Sequence, residues 1–194
     1  MKENNWFDPF YIQSHLNEEE SNIQKNVRDF CNNELKPTVV ERNRKNEFDQ
    51  SLYPKFGSLG VLGQTVKTHG GSGTSNLAYG LVAYEFEKID SSYRSSISVQ
   101  SSLVIHPINE FGSQEQKDKY LPSLIKGEKI GCFGLTESEA GSDPASMKTS
   151  FKKTKDGYIL NGSKNWITNA PIADIFIIWA IEENKDHKSI KGFI

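Results

Sequence analysis

Gly127-Glu128-Lys129-Ile130-Gly131-Cys132-Phe133-Gly134-Leu135 is the stretch at which the chain changes its periodicity. Before it, apolar residues return every three or four positions, as on one face of a helix. After it they come in short runs divided by turn residues, as in strands. A helical half followed by a strand half is the α+β order. The expected fold is therefore an N-terminal all-helical bundle over residues 1–128, then an incomplete antiparallel β-domain over residues 129–194.

Toward the N-terminus, Asn17 stands before Glu18-Glu19-Glu20, a good N-cap followed by acids that suit the positive end of a helix. The acidic run reads as a solvated helix start. Ile23, Val27, Phe30, Cys31 and Leu35 then form a one-sided stripe that ends before Pro37. A short helix is expected from Leu52 to Leu59, with Pro54 in its first turn and Gly60 as the stop. Ser75 opens a third helix reaching Ile89, so that 85–90 should be helical. A further helix runs from Tyr93 to Phe111 with a bend at Pro107, and Ser113 with Gln116 caps a last one ending near Gly127. The loop Thr68–Thr74 is the one flexible-looking stretch.

Toward the C-terminus, Ile130–Leu135 is a first strand. Lys148–Lys153 and Tyr158–Leu160 flank the turn pair Asp156-Gly157, a hairpin signal. Ile175–Ile181 is apolar throughout and reads as a strand covered on both faces, and 190–194 begin another.

Composition bounds the function. In 194 residues, 36% apolar and 25% charged content fits a globular chain, and a net charge of -2 argues against general nucleic-acid binding. No apolar run approaches the ~18 residues that cross a bilayer. Met1–Trp6 carries neither a signal core nor an Arg- and Ser-rich leader. Cys31 and Cys132 match no metal or redox spacing, so free thiols and no metal site are expected. His106, before Pro107 in an apolar helix, reads as structural, and Cys132 as an inert buried thiol.

Gly134-Leu135-Thr136-Glu137-Ser138-Glu139-Ala140-Gly141-Ser142-Asp143-Pro144-Ala145-Ser146 carries the chemistry. A strand that delivers the Thr136 hydroxyl and several N–H groups to a tight turn at Gly141 can surround a polar ring edge or an anion. On composition alone the same residues are an ordinary surface loop. The order small, aliphatic, Thr, Glu, two free positions, small, Gly, Ser, Asp resembles the signature of the acyl-CoA dehydrogenase family. Ser138 departs from the Pro of many relatives. Trp166-Ile167-Thr168 is a second marker. Gly60–Gly63, Tyr93-Arg94-Ser95, Ser98–Leu103 and Cys132–Glu137 are similar to the glutaryl-CoA dehydrogenase branch, and the resemblance runs from Phe7 to Ile194.

The resemblance implies an FAD-dependent oxidoreductase with the flavin lined by Phe133, Gly134, Leu135, Thr136, Gly141, Ser142, Trp166, Ile167 and Thr168. In it, Thr136 and Thr168 hydrogen-bond the polar ring edge, Trp166 packs on the ring, and Ser142 helps position the thioester. Without that resemblance, a Trp at position 166 reads as strand core. The resemblance further implies that Arg94 binds the distal carboxylate of glutaryl-CoA, with Glu87, Ser95 and Ser98 beside it. On helix geometry alone, Arg94 and Ser98 share a face at i, i+4, while Asp90-Ser91-Ser92 could break the connection to Glu87. An Arg and Glu on one helix also commonly form a plain surface pair.

The implied reaction oxidises and decarboxylates glutaryl-CoA to crotonyl-CoA in lysine and tryptophan breakdown, passing electrons to electron-transfer flavoprotein. A homotetramer is implied at full length, in the mitochondrial matrix of a eukaryote or the cytoplasm of a bacterium. The family's catalytic Glu is expected beyond Ile194, so the 194 residues alone should be colourless and inactive. A non-catalytic remnant, or a dehydrogenase or oxidase of other chain specificity, is the alternative.

Overall fold

The computed structural model describes residues 8–194, and the leader reading of Met1–Trp6 lies outside them. The helix caps expected from sequence form. Asn17 Oδ1 accepts the Glu20 N–H at 2.8 Å while Glu20 reaches back to the Asn17 N–H, and α1 runs Glu18–Phe30. Such a cap stabilises a helix by about 1 kcal/mol. Glu20 is not solvated as expected: it is buried and also accepts from Ser75 Oγ at 2.8 Å, joining two helix starts. A π-helical turn, Cys31–Leu35, extends α1.

The sequence reading has no counterpart for α2, Val39–Lys45, whose residues carry no apolar stripe. α3 spans Leu52–Ser58 and ends near Gly60 at φ 76°. α4, Asn76–Glu87, starts on Ser75 as expected but stops short of Ile89. Asp90 is extended instead of helical, because its carboxylate caps α5, Ser91–Ser98, by accepting the Ser92 N–H at 2.8 Å. The chain then winds without interruption through a π-helical segment, Val99–Ile105, into α6, His106–Phe111. The wider turn lies directly before Pro107, whose ring and missing N–H cannot fit the preceding α-helical register. His106 is exposed, not part of an apolar face. α7, Gln114–Ile125, carries the predicted Ser113–Gln116 capping box and holds Pro122 in its interior. The loop 68–74 is tied by its own backbone bonds and by His69 Nε2 to Asp118 Oδ1 at 2.9 Å.

The second half holds β1 Gly131–Gly134, β2 Ser150–Lys153, β3 Tyr158–Asn161, β4 Ile175–Glu182 and β5 Lys191–Phe193. The expected antiparallel sheet is mixed. β4 is its spine, parallel to β1 along Ile175–Ile178 and to β2 at Ile181 and Glu182, and antiparallel to β5. The hairpin β2–β3 is the antiparallel piece that Asp156-Gly157 announced. Nor is β4 covered on both faces. Ile175 and Ile177 join the helical core, while Phe176 on the other face is exposed.

One core therefore crosses the boundary: Tyr53, Phe56, Phe86, Ile97, Val104 and Leu124 pack in a cluster that includes Ile130, Ile175 and Ile177. Gln100, fully buried, bridges the join. Its Nε2 donates to Leu124 O and Lys129 O, both 2.9 Å, and its Oε1 accepts the Gly131 N–H at 2.7 Å. No described helix is long and apolar enough to cross a membrane.

Candidate functional site

β1 ends at Gly134, where a Cβ would meet Ile178 Cδ1 at 2.6 Å, so a larger residue there would have to push the Ile178 side chain aside. The chain then turns through Leu135–Ser142. A second loop, Ser163–Asn169, lies against it. Lys164 Nζ donates to Leu135 O at 2.9 Å and to Glu137 Oε1 at 2.7 Å, and the Asn165 N–H donates to Thr136 O at 2.9 Å.

Glu137 and Lys164 side chains are each only 8% exposed. Glu137 also accepts the Lys148 N–H at 2.7 Å and the Thr149 N–H at 3.0 Å. Burial alone raises the carboxyl's pKa. Lys164, Thr149 and the two amides outweigh that and hold it at about 2. A carboxylate so fully engaged is a clamp, not a free base.

The clamp holds Lys164 in place, and with it the segment Trp166–Thr168. Trp166 sits at φ 60° and is 92% exposed, so it is not the strand core that its residue type suggests. A large aromatic in the left-handed region, held out into open space, is the kind of strain that gathers at ligand sites. Ile167 is half-buried and Thr168 exposed. Asn169, at φ 69°, turns the chain back inward, and its Nδ2 donates to Gly131 O at 3.2 Å. Phe133, in β1, packs edge-on to Trp179; on the first loop Thr136 is half-buried, and Gly141 and Ser142 are exposed. A Cβ on Gly141 would meet nothing within 4 Å, so its bare backbone is open to approach.

The other predicted group lies on the helices. Despite the break at Lys88–Asp90, Arg94 Nε donates to Glu87 Oε2 at 2.7 Å, with the side chains 37% and 48% exposed. Farther along, the Tyr79 and Ser102 hydroxyls meet at 2.7 Å, so α4 runs back against α5 and its extension. Ser95 and Ser98 are half-buried on α5. Among the described residues Arg94 is paired only through Nε, which leaves its Nη donors open for a planar anion. The structure joins Phe133–Ser142 with Trp166–Thr168, and Glu87 with Arg94. Between Arg94 and Ser98 on α5, Ser96 reaches the second loop, its hydroxyl donating to Asn169 Oδ1 at 3.0 Å.

Sequence reasoning missed Lys164, Ser96, Gln100 and Asn169. A Lys between turn residues signals burial only once its carboxylate partner is known, and Ser96 looks like any serine in a serine-rich helix. No described cluster of His, Cys, Asp and Glu could hold a metal. Cys132 is buried, and burial pushes its thiol up to about 11.

Comparison with known proteins matches this arrangement. The chain is 39% identical over 181 residues to a short-chain-specific acyl-CoA dehydrogenase of Clostridium acetobutylicum, covering 92% of this chain and 48% of that relative. It is 40% identical over 168 residues to the mitochondrial isovaleryl-CoA dehydrogenase of Bos taurus, covering 85% and 39%. The structure of a glutaryl-CoA dehydrogenase from Mycobacterium smegmatis in complex with FADH2 superposes with a TM-score of 0.90 at 41% identity, over 95% of this chain and 47% of that one. The chain thus spans about half the length, or less, of the relatives it matches. With the acyl-CoA dehydrogenase N-terminal domain matched over residues 17–128 and the middle domain over residues 132–194, the chain belongs to the acyl-CoA dehydrogenase family.

Proposed function

We propose that this chain contributes the flavin-facing loops and the acyl-terminus anchor of an FAD-dependent acyl-CoA dehydrogenase whose substrate is glutaryl-CoA. The observation that carries the reading is Trp166, almost wholly exposed at positive φ on a loop clamped by the buried Glu137–Lys164 pair. The donor set fits a flavin: an aromatic face at Trp166, hydroxyls at Thr136 and Thr168, and bare backbone at Gly141. Bound FAD supplies the two-electron acceptor for a hydride leaving the acyl β-carbon. Thr136 and Thr168 would offer hydroxyl donors to the negative charge that reduction builds. Ser142, beside Gly141, is suited to orient the thioester.

Arg94 supports the dicarboxylic substrate, since its free Nη donors form a fork for a carboxylate, with Ser95 and Ser98 on the same helix. Decarboxylation to crotonyl-CoA, electron delivery to electron-transfer flavoprotein and a place in lysine and tryptophan breakdown belong to this reading. Glu137 is committed to Lys164 and Glu87 to Arg94, so α-proton abstraction falls to a base that neither supplies.

The test is titration of the purified chain with FAD, following flavin fluorescence. Saturable quenching by the parent and at least about tenfold weaker binding by Trp166→Ala is the expected result. Binding unchanged by that substitution overturns the flavin site. With FAD present, Arg94→Gln should weaken glutaryl-CoA binding by about 2–4 kcal/mol and butyryl-CoA binding much less. Equal losses on both thioesters overturn the substrate assignment. No turnover is expected from the chain alone.

A further inference from the structure

Ser96 is buried on α5, two residues after Arg94 and two before Ser98. Its hydroxyl meets Tyr53 Oη at 2.6 Å on one side and donates to Asn169 Oδ1 at 3.0 Å on the other. Because the single serine proton goes to Asn169, Tyr53 must be the donor of the first bond. The order is fixed: Tyr53 donates to Ser96, and Ser96 donates to Asn169. Asn169 Nδ2 in turn donates to Gly131 O at 3.2 Å and to Ser96 O at 3.4 Å.

Four parts of the fold meet in this chain of bonds: α3 through Tyr53, α5 through Ser96, β1 through Gly131, and the loop 166–169. Tyr53 is fully buried, and burial, against the pull of Ser96 and Asn169, pushes its phenol up to about 12, so it remains a donor at any ordinary pH. Asn169 is the left-handed residue that follows the Trp166–Thr168 segment. Its amide is the side-chain contact that ties that segment to α5.

We propose that Ser96 is a positioning residue that registers the Arg94-bearing helix against the Trp166–Thr168 loop, fixing the separation between the acyl-terminus anchor and the flavin edge. The proposal rests on the flavin reading above for the identity of the two ends. The tie itself does not. Losing the Ser96 hydroxyl leaves the Tyr53 donor and the Asn169 carbonyl unpaired in a buried place, and buried unpaired groups drive local rearrangement. The loop's left-handed turn then loses its side-chain support.

The experiment is amide hydrogen exchange by NMR on the 194-residue chain, as parent, Ser96→Ala and Tyr53→Phe. The reporters are the Ala170 and Ile172 N–H groups, bonded to Ile167 O at 3.1 Å and Asn169 O at 2.9 Å. The controls are the Asn165 and Thr149 N–H groups at the Glu137–Lys164 clamp. In Ser96→Ala the reporters should exchange about tenfold faster while the controls hold their rates, and FAD should bind about tenfold more weakly; Tyr53→Phe, which keeps the Ser96–Asn169 bond, should leave the reporters near the parent rate. Unchanged reporters in Ser96→Ala overturn the proposal. Reporters and controls accelerating together also overturn it, because Ser96 then contributes only to overall stability. If the parent binds no FAD yet the reporters alone accelerate, the tie stands and the flavin reading falls.

Discussion

At the scale of single residues, the buried carboxylate of Glu137 carries the sharpest expectation. Its pKa lies at about 2, well below the ordinary Glu value of about 4.3 in an unfolded chain. A depressed carboxyl contributes stability that is present above the unfolded pKa and lost as pH falls through the folded one. An acid titration should therefore show stability declining between about pH 4.5 and pH 2, and Glu137→Gln should flatten that part of the curve. At neutral pH the same change strands the Lys164 charge and should cost about 3–5 kcal/mol in urea unfolding. The double variant Glu137→Gln with Lys164→Met should recover part of the loss. If the two single losses simply add, the pair is not the clamp described. Little of this is legible in sequence. The motif Gly134–Asp143 marks Glu137, but its partner lies 27 residues away and nothing local points to it. Trp166 is legible as a marker, whereas its exposure depends on a left-handed backbone that no propensity predicts.

At the scale of elements, the legible features are local. Asn17, Ser75 and Ser113 cap their helices because a cap needs only a side chain and an N–H two or three residues on. The features that sequence hides answer to partners elsewhere. The π-helical segment Val99–Ile105 shifts the helix register ahead of Pro107 and carries Gln100, whose amide serves Leu124, Lys129 and Gly131. From sequence, Gln100 is one polar residue among serines. Substituting Gln100→Met keeps the volume but leaves Lys129 O and the Gly131 N–H without this partner at the join of helices and sheet, while Leu124 O keeps the Gly127 N–H. The expected cost is about 2–4 kcal/mol, read as a lower urea midpoint with an unchanged slope. A midpoint equal to the parent's shows that the two backbone groups find other partners. The mixed sheet is hidden for the same reason. Hairpin pairing of β2 and β3 comes from a two-residue turn signal, while the β1–β4 contact closes across 44 residues, as between Ile130 and Asp174.

At the scale of the whole molecule, the change of periodicity at 127–135 correctly separates helices from strands without separating two cores. Ile130, Ile175 and Ile177 lie in the same cluster as Phe56, Phe86 and Leu124, and Phe133 and Trp179 pack against it. A sheet face that has the helical bundle as its other wall cannot lose that wall and keep its apolar side chains dry. The helices, likewise, lose Gln100's bonds and three isoleucines if the sheet leaves. The two halves should therefore unfold together. Far-UV circular dichroism reports the helices, and Trp179, edge-on to Phe133 at 5.9 Å between ring centres, reports the sheet. In a background carrying both Trp6→Phe and Trp166→Phe, which leaves Trp179 as the sole indole of the sequence, both probes should give one urea midpoint. Midpoints separated by more than about 0.3 M mean that the halves are independent units, because the slope of ~1–3 kcal/mol per molar urea turns that gap into a resolvable difference in stability. The shared core would then be contact without cooperation, and the Ser96–Asn169 tie could not hold α5 and the Trp166 loop in a fixed register.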